Sequence, residues 1–102
     1  MAIYQTAEYR VSADGVEEVR RAIAEFVDYV RANEPGTRMY AAWQRQDDRT
    51  RFIHLFIFDS EAAQTAHSES AAVAAFEATY RPHLVDGDVT FTDFDLVASN
   101  QD

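Results

Sequence analysis

Three histidines are the side chains in this sequence best suited to proton chemistry, because imidazole titrates near neutral pH. His67 falls in the stretch EAAQTAHS, where helical spacing places it on one face with Ala63 and Ala66. Small alanines beside an imidazole leave room for a ligand, so His67 is a candidate catalytic base or a hydrogen-bond donor to a substrate oxygen. The open alternative is a core histidine whose nitrogens bond to backbone carbonyls or a helix cap.

The other two histidines have simpler interpretations. His54 lies in the run RFIHLFIF on the strand face of Phe52 and Phe56, which is typical of a packed, hydrogen-bonded side chain. His83 follows Pro82 and is expected at the surface or as a cap. The spacing shows neither H-x-H nor HExxH, so we predict no metal site. An iron site of two histidines and one carboxylate from distant strands stays open.

Aromatic side chains form the second group with chemical potential, at 13% of the chain. Their ordinary role is to fill a core or a dimer interface. Some of them could instead line a cavity between sheet and helices, where a flat aromatic ligand would stack. The candidate substrate contacts are Trp43, Tyr40, His54, Phe56, Phe76 and Tyr80.

The composition excludes several classes of chemistry. The chain has 102 residues, no cysteine, only arginine as its basic residue, and a net charge of −9. Disulfides, thiolate metal sites, cysteine nucleophiles and Schiff-base lysines are therefore excluded. A negative surface repels phosphate backbones, so we expect no nucleic-acid partner. With no basic leader and no apolar run of about 18–20 residues, we expect no membrane contact and a cytoplasmic protein.

Hydrophobic periodicity predicts the elements that position these side chains. The predicted strands are Ile3–Val11, Arg38–Arg45, Arg51–Phe58 and Val89–Ala98, and the predicted helices are Gly15–Asn33, 61–68 and one that restarts at Ser70 and ends at Pro82. Residues 46–50 form a polar hairpin loop, and residues 99–102 form a frayed tail. Asp86-Gly87 indicates a turn before the last strand, whose alternation slips between Phe91 and Phe94. Such a slip indicates a bulge or a strand that contacts a partner.

The order β-α-β-β-α-β is the ferredoxin-like α+β pattern, with residues 1–98 as a single domain. We expect a four-stranded antiparallel sheet with both helical segments on one face, and right-handed crossovers that join parallel neighbours. The third strand is apolar on both faces, since Ile53, Leu55 and Ile57 lie opposite its phenylalanines. An uncovered apolar sheet face calls for a partner, so we expect a homodimer of two sheets packed face to face.

Two segments resemble the antibiotic biosynthesis monooxygenase family. The turn Glu34-Pro35-Gly36-Thr37 with the following Tyr40 is similar to its E-(P/E)-G-(T/C)-x-x-Y segment. The stretch FDSEAAQTAH, continuing through Ser70, Val73 and Phe76, is similar to its aromatic–acidic–x–E–A…A–H…F signature. This resemblance implies a dimeric α/β barrel that oxidises phenols or dihydroquinones with molecular oxygen, without flavin, metal or haem.

The resemblance also implies roles for particular residues. His67 would serve as base or oxyanion partner, while Trp43 and Tyr40 would position the ring or the phenolic oxygen. A deprotonated, electron-rich phenol can itself transfer an electron to oxygen, so the protein needs only to bind, deprotonate and shield it. The expected function is cofactor-independent oxidation of a quinol- or polyketide-like substrate.

The sequence is also compatible with two other functions. One is a non-catalytic dimeric domain that binds a small hydrophobic ligand or serves a stress response. The other is haem degradation, for which relatives of this fold use an asparagine on the first strand, a tryptophan on the second helix and a histidine. Here Thr6 and Ala7 stand near the first position and residues 59–81 contain no tryptophan, so only His67 matches. Haem degradation is accordingly disfavoured.

Overall fold

A computed structural model describes residues 1–101 as one four-stranded sheet with helices packed against it. The strands are β1 (Ile3–Val11), β2 (Thr37–Gln44), β3 (Arg51–Phe58) and β4 (Leu84–Phe94), and the helices are α1 (Val16–Asn33), α2 (Glu61–Ser68) and α3 (Ala71–Tyr80). The strand order is β2-β3-β1-β4, and every neighbouring pair is antiparallel. The predicted ferredoxin-like α+β fold is confirmed.

The expectation that each crossover joins parallel neighbours is wrong. β1 and β2 both pair with β3, while β3 and β4 both pair with β1, so one strand separates each parallel pair. This interleaving places β1 and β3 at the centre of the sheet. Their inner faces carry Tyr9, Val11 and Phe52 of the main core cluster.

The helices follow the local signals of the sequence. α1 buries Val19, Phe26 and Val30 along one stripe and exposes its charged face. The hydroxyls of Ser60 and Ser70 accept hydrogen bonds from backbone amides three residues on, at 3.2 and 3.1 Å, so α2 and α3 each begin at a serine cap. Across residues 1–101, no helix is long and apolar enough to cross a bilayer.

The prediction for the last strand is wrong in its boundaries. β4 begins at Leu84 and ends at Phe94, and Asp86 and Gly87 lie inside it with φ angles of 61° and 105°. Glu8 of β1 pairs with Thr90, whereas Arg10 pairs with Val85, so the extra residues of β4 form a bulge rather than a turn. Left-handed φ angles favour glycine and are tolerated by aspartate, which is why this dipeptide can occupy a bulge.

The outer face of the sheet, away from the helices, is uncovered in the single chain and is apolar along β2 and β3. On it, Ile53 and Leu55 of β3 stand beside Trp43 and Ala41 of β2. Trp43 is 61% exposed, and Phe94 at the end of β4 is 53% exposed. The predicted two-faced apolar character of β3 is therefore confirmed.

Candidate functional site

A cavity of about 250 Å³ lies between the inner face of the sheet and the helices. Its walls are mainly rings, which come from strands and helices alike: Tyr9, Phe26, Tyr40, His54, Phe56, Phe58, His67, Phe76 and Tyr80. On the sheet side, Tyr40 stacks on Phe56 with ring centroids 5.1 Å apart. On the helix side, Phe26 stacks on Phe76 at 5.0 Å. The two stacks meet nearly at right angles, since Phe26 lies edge-on to Tyr40 with an interplanar angle of 81°. A pocket lined by rings in this way suits an aromatic ligand.

The structure brings most of the candidate residues together and leaves one out. Tyr40, His54, Phe56, Phe76 and Tyr80 line the cavity together with His67. Trp43 does not line it, and the interpretation that it positions a ring beside His67 in this cavity is wrong for the single chain. It lies three residues after Tyr40 on β2 and therefore points to the outer face, where it is 61% exposed.

His67 is held by a buried carboxylate. Its Nδ1 lies 2.7 Å from Oε1 of Glu34, and both side chains are 10% exposed. The same oxygen accepts a hydrogen bond from the Thr37 hydroxyl at 2.8 Å. A carboxylate only accepts hydrogen bonds, so Nδ1 donates to it, and in the neutral imidazole the lone pair is then on Nε2. Within residues 1–101, Nε2 has no hydrogen-bond partner, which leaves it as an acceptor at the cavity wall.

A close approach of backbone and helix brings this pair together. A Cβ on Gly36 would lie 2.7 Å from the Cβ of Ala63, so only glycine fits between the turn and α2. The Asp59 amide donates to the Gly36 carbonyl at 2.8 Å and fixes the same contact. Since Ala63 and His67 are one helical turn apart, the contact places the imidazole next to the turn that carries Glu34.

His54 joins two tyrosines under the cavity. Its Nε2 lies 2.8 Å from the Tyr9 hydroxyl, and its Nδ1 lies 2.7 Å from the Tyr40 hydroxyl. Burial lowers the pKa of His54 to about 4, so the ring is neutral at neutral pH. Burial also raises the pKa values of both tyrosines, which keeps their hydroxyls protonated. The interpretation of His54 as a packed, hydrogen-bonded side chain is confirmed.

The third histidine lies away from the cavity. Nε2 of His83 is 3.1 Å from a carboxylate oxygen of Glu18, and both side chains are partly exposed, as expected for a surface residue. Across the described part of the chain, no three histidine, aspartate or glutamate side chains are arranged to bind a metal ion.

Sequence reasoning missed two of the site's polar residues. Glu34 was expected only as part of a turn, and Tyr9 was not singled out within the predicted strand Ile3–Val11. A signal existed for Glu34, because it opens the EPGT segment on which the family resemblance depends. Tyr9 follows Ala7 at strand spacing, and this alternation predicts its face but not its hydrogen bond.

The fold and the site define a class: a ferredoxin-like α+β domain with an aromatic cavity and a carboxylate-held imidazole. The sequence matches the antibiotic biosynthesis monooxygenase family over residues 2–79. The chain belongs to this family. No curated protein matches the sequence.

Several solved structures share the fold along almost the whole chain. A family protein from Bacteroides thetaiotaomicron is 14% identical with a TM-score of 0.89, and the match covers 99% of this chain and 94% of that one. One from Caulobacter crescentus is 22% identical with a TM-score of 0.86, covering 95% and 91%. Rv0793 from Mycobacterium tuberculosis is 17% identical with a TM-score of 0.86, covering 99% and 100%. At these identities the likeness shows the fold and not the substrate.

Proposed function

We propose that this chain is a cofactor-independent monooxygenase that oxidises a phenolic aromatic compound with molecular oxygen. The observation that carries the proposal is the Glu34–His67 pair, in which Glu34 holds Nδ1 of an imidazole that lines a cavity walled by rings. The pair supplies a base, the rings supply a binding surface for a flat substrate, and the chain's family supports this class of reaction.

The surroundings of His67 support a base of fixed orientation. Its ring lies 5.1 Å from the ring of Phe58 and 5.5 Å from that of Phe26, centroid to centroid. These contacts hold the imidazole plane while Glu34 holds one nitrogen. A base held in this way loses little entropy when the substrate binds, and apolar neighbours exclude water from reactive intermediates.

The reaction begins with proton transfer from the phenolic hydroxyl to Nε2 of His67. The positive charge that forms on the imidazole is stabilised by the Glu34 carboxylate at 2.7 Å. The phenolate gives one electron to oxygen, and the resulting phenoxyl radical and superoxide combine at a ring carbon.

Proton return from His67 gives a hydroperoxide, which loses water and leaves a quinone carbonyl. One oxygen atom enters the product. The other oxygen atom leaves as water, whose two hydrogens come from the phenolic hydroxyl and from the attacked ring carbon. The substrate therefore supplies all the electrons.

Oxygen uptake with a panel of hydroquinones and anthrones tests this proposal. We expect turnover by the wild-type protein and a loss of about 10²-fold or more in His67→Ala. His83→Ala, which removes the partly exposed imidazole, is the matched control and should keep full activity. Ligand binding without oxygen uptake, unchanged by His67→Ala, would contradict the proposal and favour a non-catalytic ligand-binding domain.

We also propose that the active form is a homodimer built on the outer face of the sheet. Trp43 is more than half exposed there beside the half-buried Ile53, and Phe94 is more than half exposed on the edge strand β4. An exposed apolar patch of this kind is stabilised by burial against a second copy, and two-fold pairing is the common solution.

A further inference from the structure

His54 is a buried imidazole that the proposed reaction leaves without a role. It is 1% exposed, and each ring nitrogen is within hydrogen-bond distance of one tyrosine hydroxyl: Nε2 of Tyr9 at 2.8 Å and Nδ1 of Tyr40 at 2.7 Å. All three side chains line the cavity that His67 also lines. This set of residues, the Tyr9–His54–Tyr40 network, therefore puts two tyrosines joined by one imidazole in the cavity wall.

The number of protons in the network determines which hydrogen bonds it can form with a ligand. A neutral imidazole has one N–H and one lone pair, so one tyrosine donates to His54 while the other accepts from it. The accepting tyrosine still has its own O–H proton, and within residues 1–101 that hydroxyl has no second partner. The donating tyrosine has used its proton, but its oxygen can still accept. The network therefore presents one free donor and one free acceptor.

Two arrangements satisfy this count. The free donor is either Tyr40, whose ring lies 5.7 Å from that of His67, or Tyr9, whose ring lies 5.3 Å from that of Tyr80. The imidazole tautomer decides between them, and the total charge is the same in both. The network can therefore adapt to either orientation of a ligand, but it cannot present two donors at once.

We infer that the Tyr9–His54–Tyr40 network selects ligands that carry both a hydroxyl and a carbonyl oxygen. The carbonyl accepts from the free tyrosine hydroxyl, and a ligand hydroxyl other than the one that His67 deprotonates donates to the other tyrosine oxygen. The inference rests on the proposed function, because it requires this cavity to be the ligand site. A ligand lacking either group leaves a polar atom unpaired among rings, and we expect each missing group to weaken binding about 10-fold.

Calorimetric titration of three matched probes tests the inference, at a pH below the ionisation of their phenols. 4-Hydroxyacetophenone carries both groups, acetophenone lacks the hydroxyl, and 4-ethylphenol lacks the carbonyl. We expect the first to bind wild-type protein about 10-fold more tightly than either of the others. His67 can also accept a hydrogen bond from a phenol, so the preference alone does not show which residues cause it. If the tyrosines cause it, Tyr9→Phe and Tyr40→Phe should each reduce the preference to about 3-fold or less. Tyr29→Phe, which removes an exposed hydroxyl on α1, should leave it unchanged.

Nitrogen NMR of the His54 ring measures its tautomer ratio and tests the inference a second time without any variant. We expect a neutral ring at neutral pH whose tautomer ratio changes when 4-hydroxyacetophenone binds. Equal affinities for the three probes, or a tautomer ratio that no probe changes, would overturn the inference and leave the cavity as a ligand site. Failure of all three probes to bind at millimolar concentration would overturn both the inference and the proposed function.

Discussion

Nδ1 of His67 lies 2.7 Å from Oε1 of Glu34, and each side chain is only 10% exposed. The same two residue types meet a second time in this chain, where Nε2 of His83 lies 3.1 Å from Oε2 of Glu18. The side chains of that second pair are 25% and 53% exposed. The Glu34–His67 pair is buried at the cavity and the Glu18–His83 pair lies at the surface. Variants of the surface pair can therefore serve as controls for variants of the buried pair.

Glu34→Gln is expected to slow turnover without weakening substrate binding. The amide cannot stabilise the imidazolium charge, and it can turn its NH₂ toward Nδ1 and favour the wrong tautomer. We expect kcat to fall about 10-fold or more while KM changes less than about 2-fold, as steady-state oxygen uptake would show. Glu18→Gln removes the surface carboxylate and should change neither. A matching loss in both variants would argue against a role for the buried pair.

Gly36→Ala is expected to separate the turn from α2. The new Cβ would lie 2.7 Å from that of Ala63, and relieving this overlap should cost about 1–3 kcal/mol of unfolding free energy. Activity should fall as well, because the shift moves His67 away from Glu34. Denaturant unfolding and oxygen uptake measure the two effects.

The double variant Gly36→Ala/Ala63→Gly removes the overlap and serves as the rescue. Glycine in a helix costs about 1 kcal/mol, so we expect stability to recover only in part while activity recovers more fully. Activity that stays low in the double variant would show that the close approach does not position His67.

The free energy of unfolding should decrease as the pH is lowered through the range set by the pKa of His54. Its pKa is about 4 in the folded protein, against an ordinary value of 6.5. Between these values the unfolded chain binds more protons, so the free energy of unfolding decreases as pH falls from 6.5 to 4. The expected contribution is on the order of 3 kcal/mol, and urea unfolding at several pH values measures it.

Two variants separate this effect from the titration of carboxylates. Wild type should lose stability as the pH falls because His54 is protonated on unfolding, and His54→Gln has no imidazole there to protonate. The difference in unfolding free energy between the two proteins should therefore shrink as the pH falls. In His83→Gln the difference should stay nearly constant across the same window. Parallel curves for wild type and His54→Gln would contradict the assignment.

The outer face of the sheet should hold two copies together. Sedimentation is expected to give twice the mass of the chain, and Leu55→Asp should give a monomer, because each copy would bury an unpaired carboxylate in the interface. Ala75→Asp on the exposed side of α3 is the control. Trp43, the chain's single tryptophan, should shift its emission to the red when dilution separates the copies. A monomeric wild type would contradict the proposed dimer.

Much of the fold could be predicted because burial follows simple periods. In β3, Phe52 and Phe56 are buried while Ile53 and Leu55 are not, as strand alternation requires. The buried apolar face of α1 and the serine N-caps of α2 and α3 can be predicted for the same reason, since each depends on residues close together in sequence.

The remaining features depend on contacts between distant segments. Asp86-Gly87 has turn chemistry, yet pairing with β1 draws it into a strand as a bulge. Trp43 lies on a strand with small or apolar residues on both faces, so alternation alone did not indicate which face meets the cavity. Glu34 becomes buried only because Gly36 lets α2 approach, a tertiary effect that no local pattern contains.

The fate of labelled oxygen tests the central claim most directly. Wild-type protein is incubated under ¹⁸O₂ with anthrone, whose enol tautomer carries the phenolic hydroxyl that the mechanism requires, and the product is analysed by mass spectrometry. We predict anthraquinone with one ¹⁸O atom, the second atom in water, and a rate about 10²-fold lower in His67→Ala. Unlabelled product with hydrogen peroxide as the reduced species, or equal rates for wild type and His67→Ala, would contradict a monooxygenase that uses this imidazole as its base.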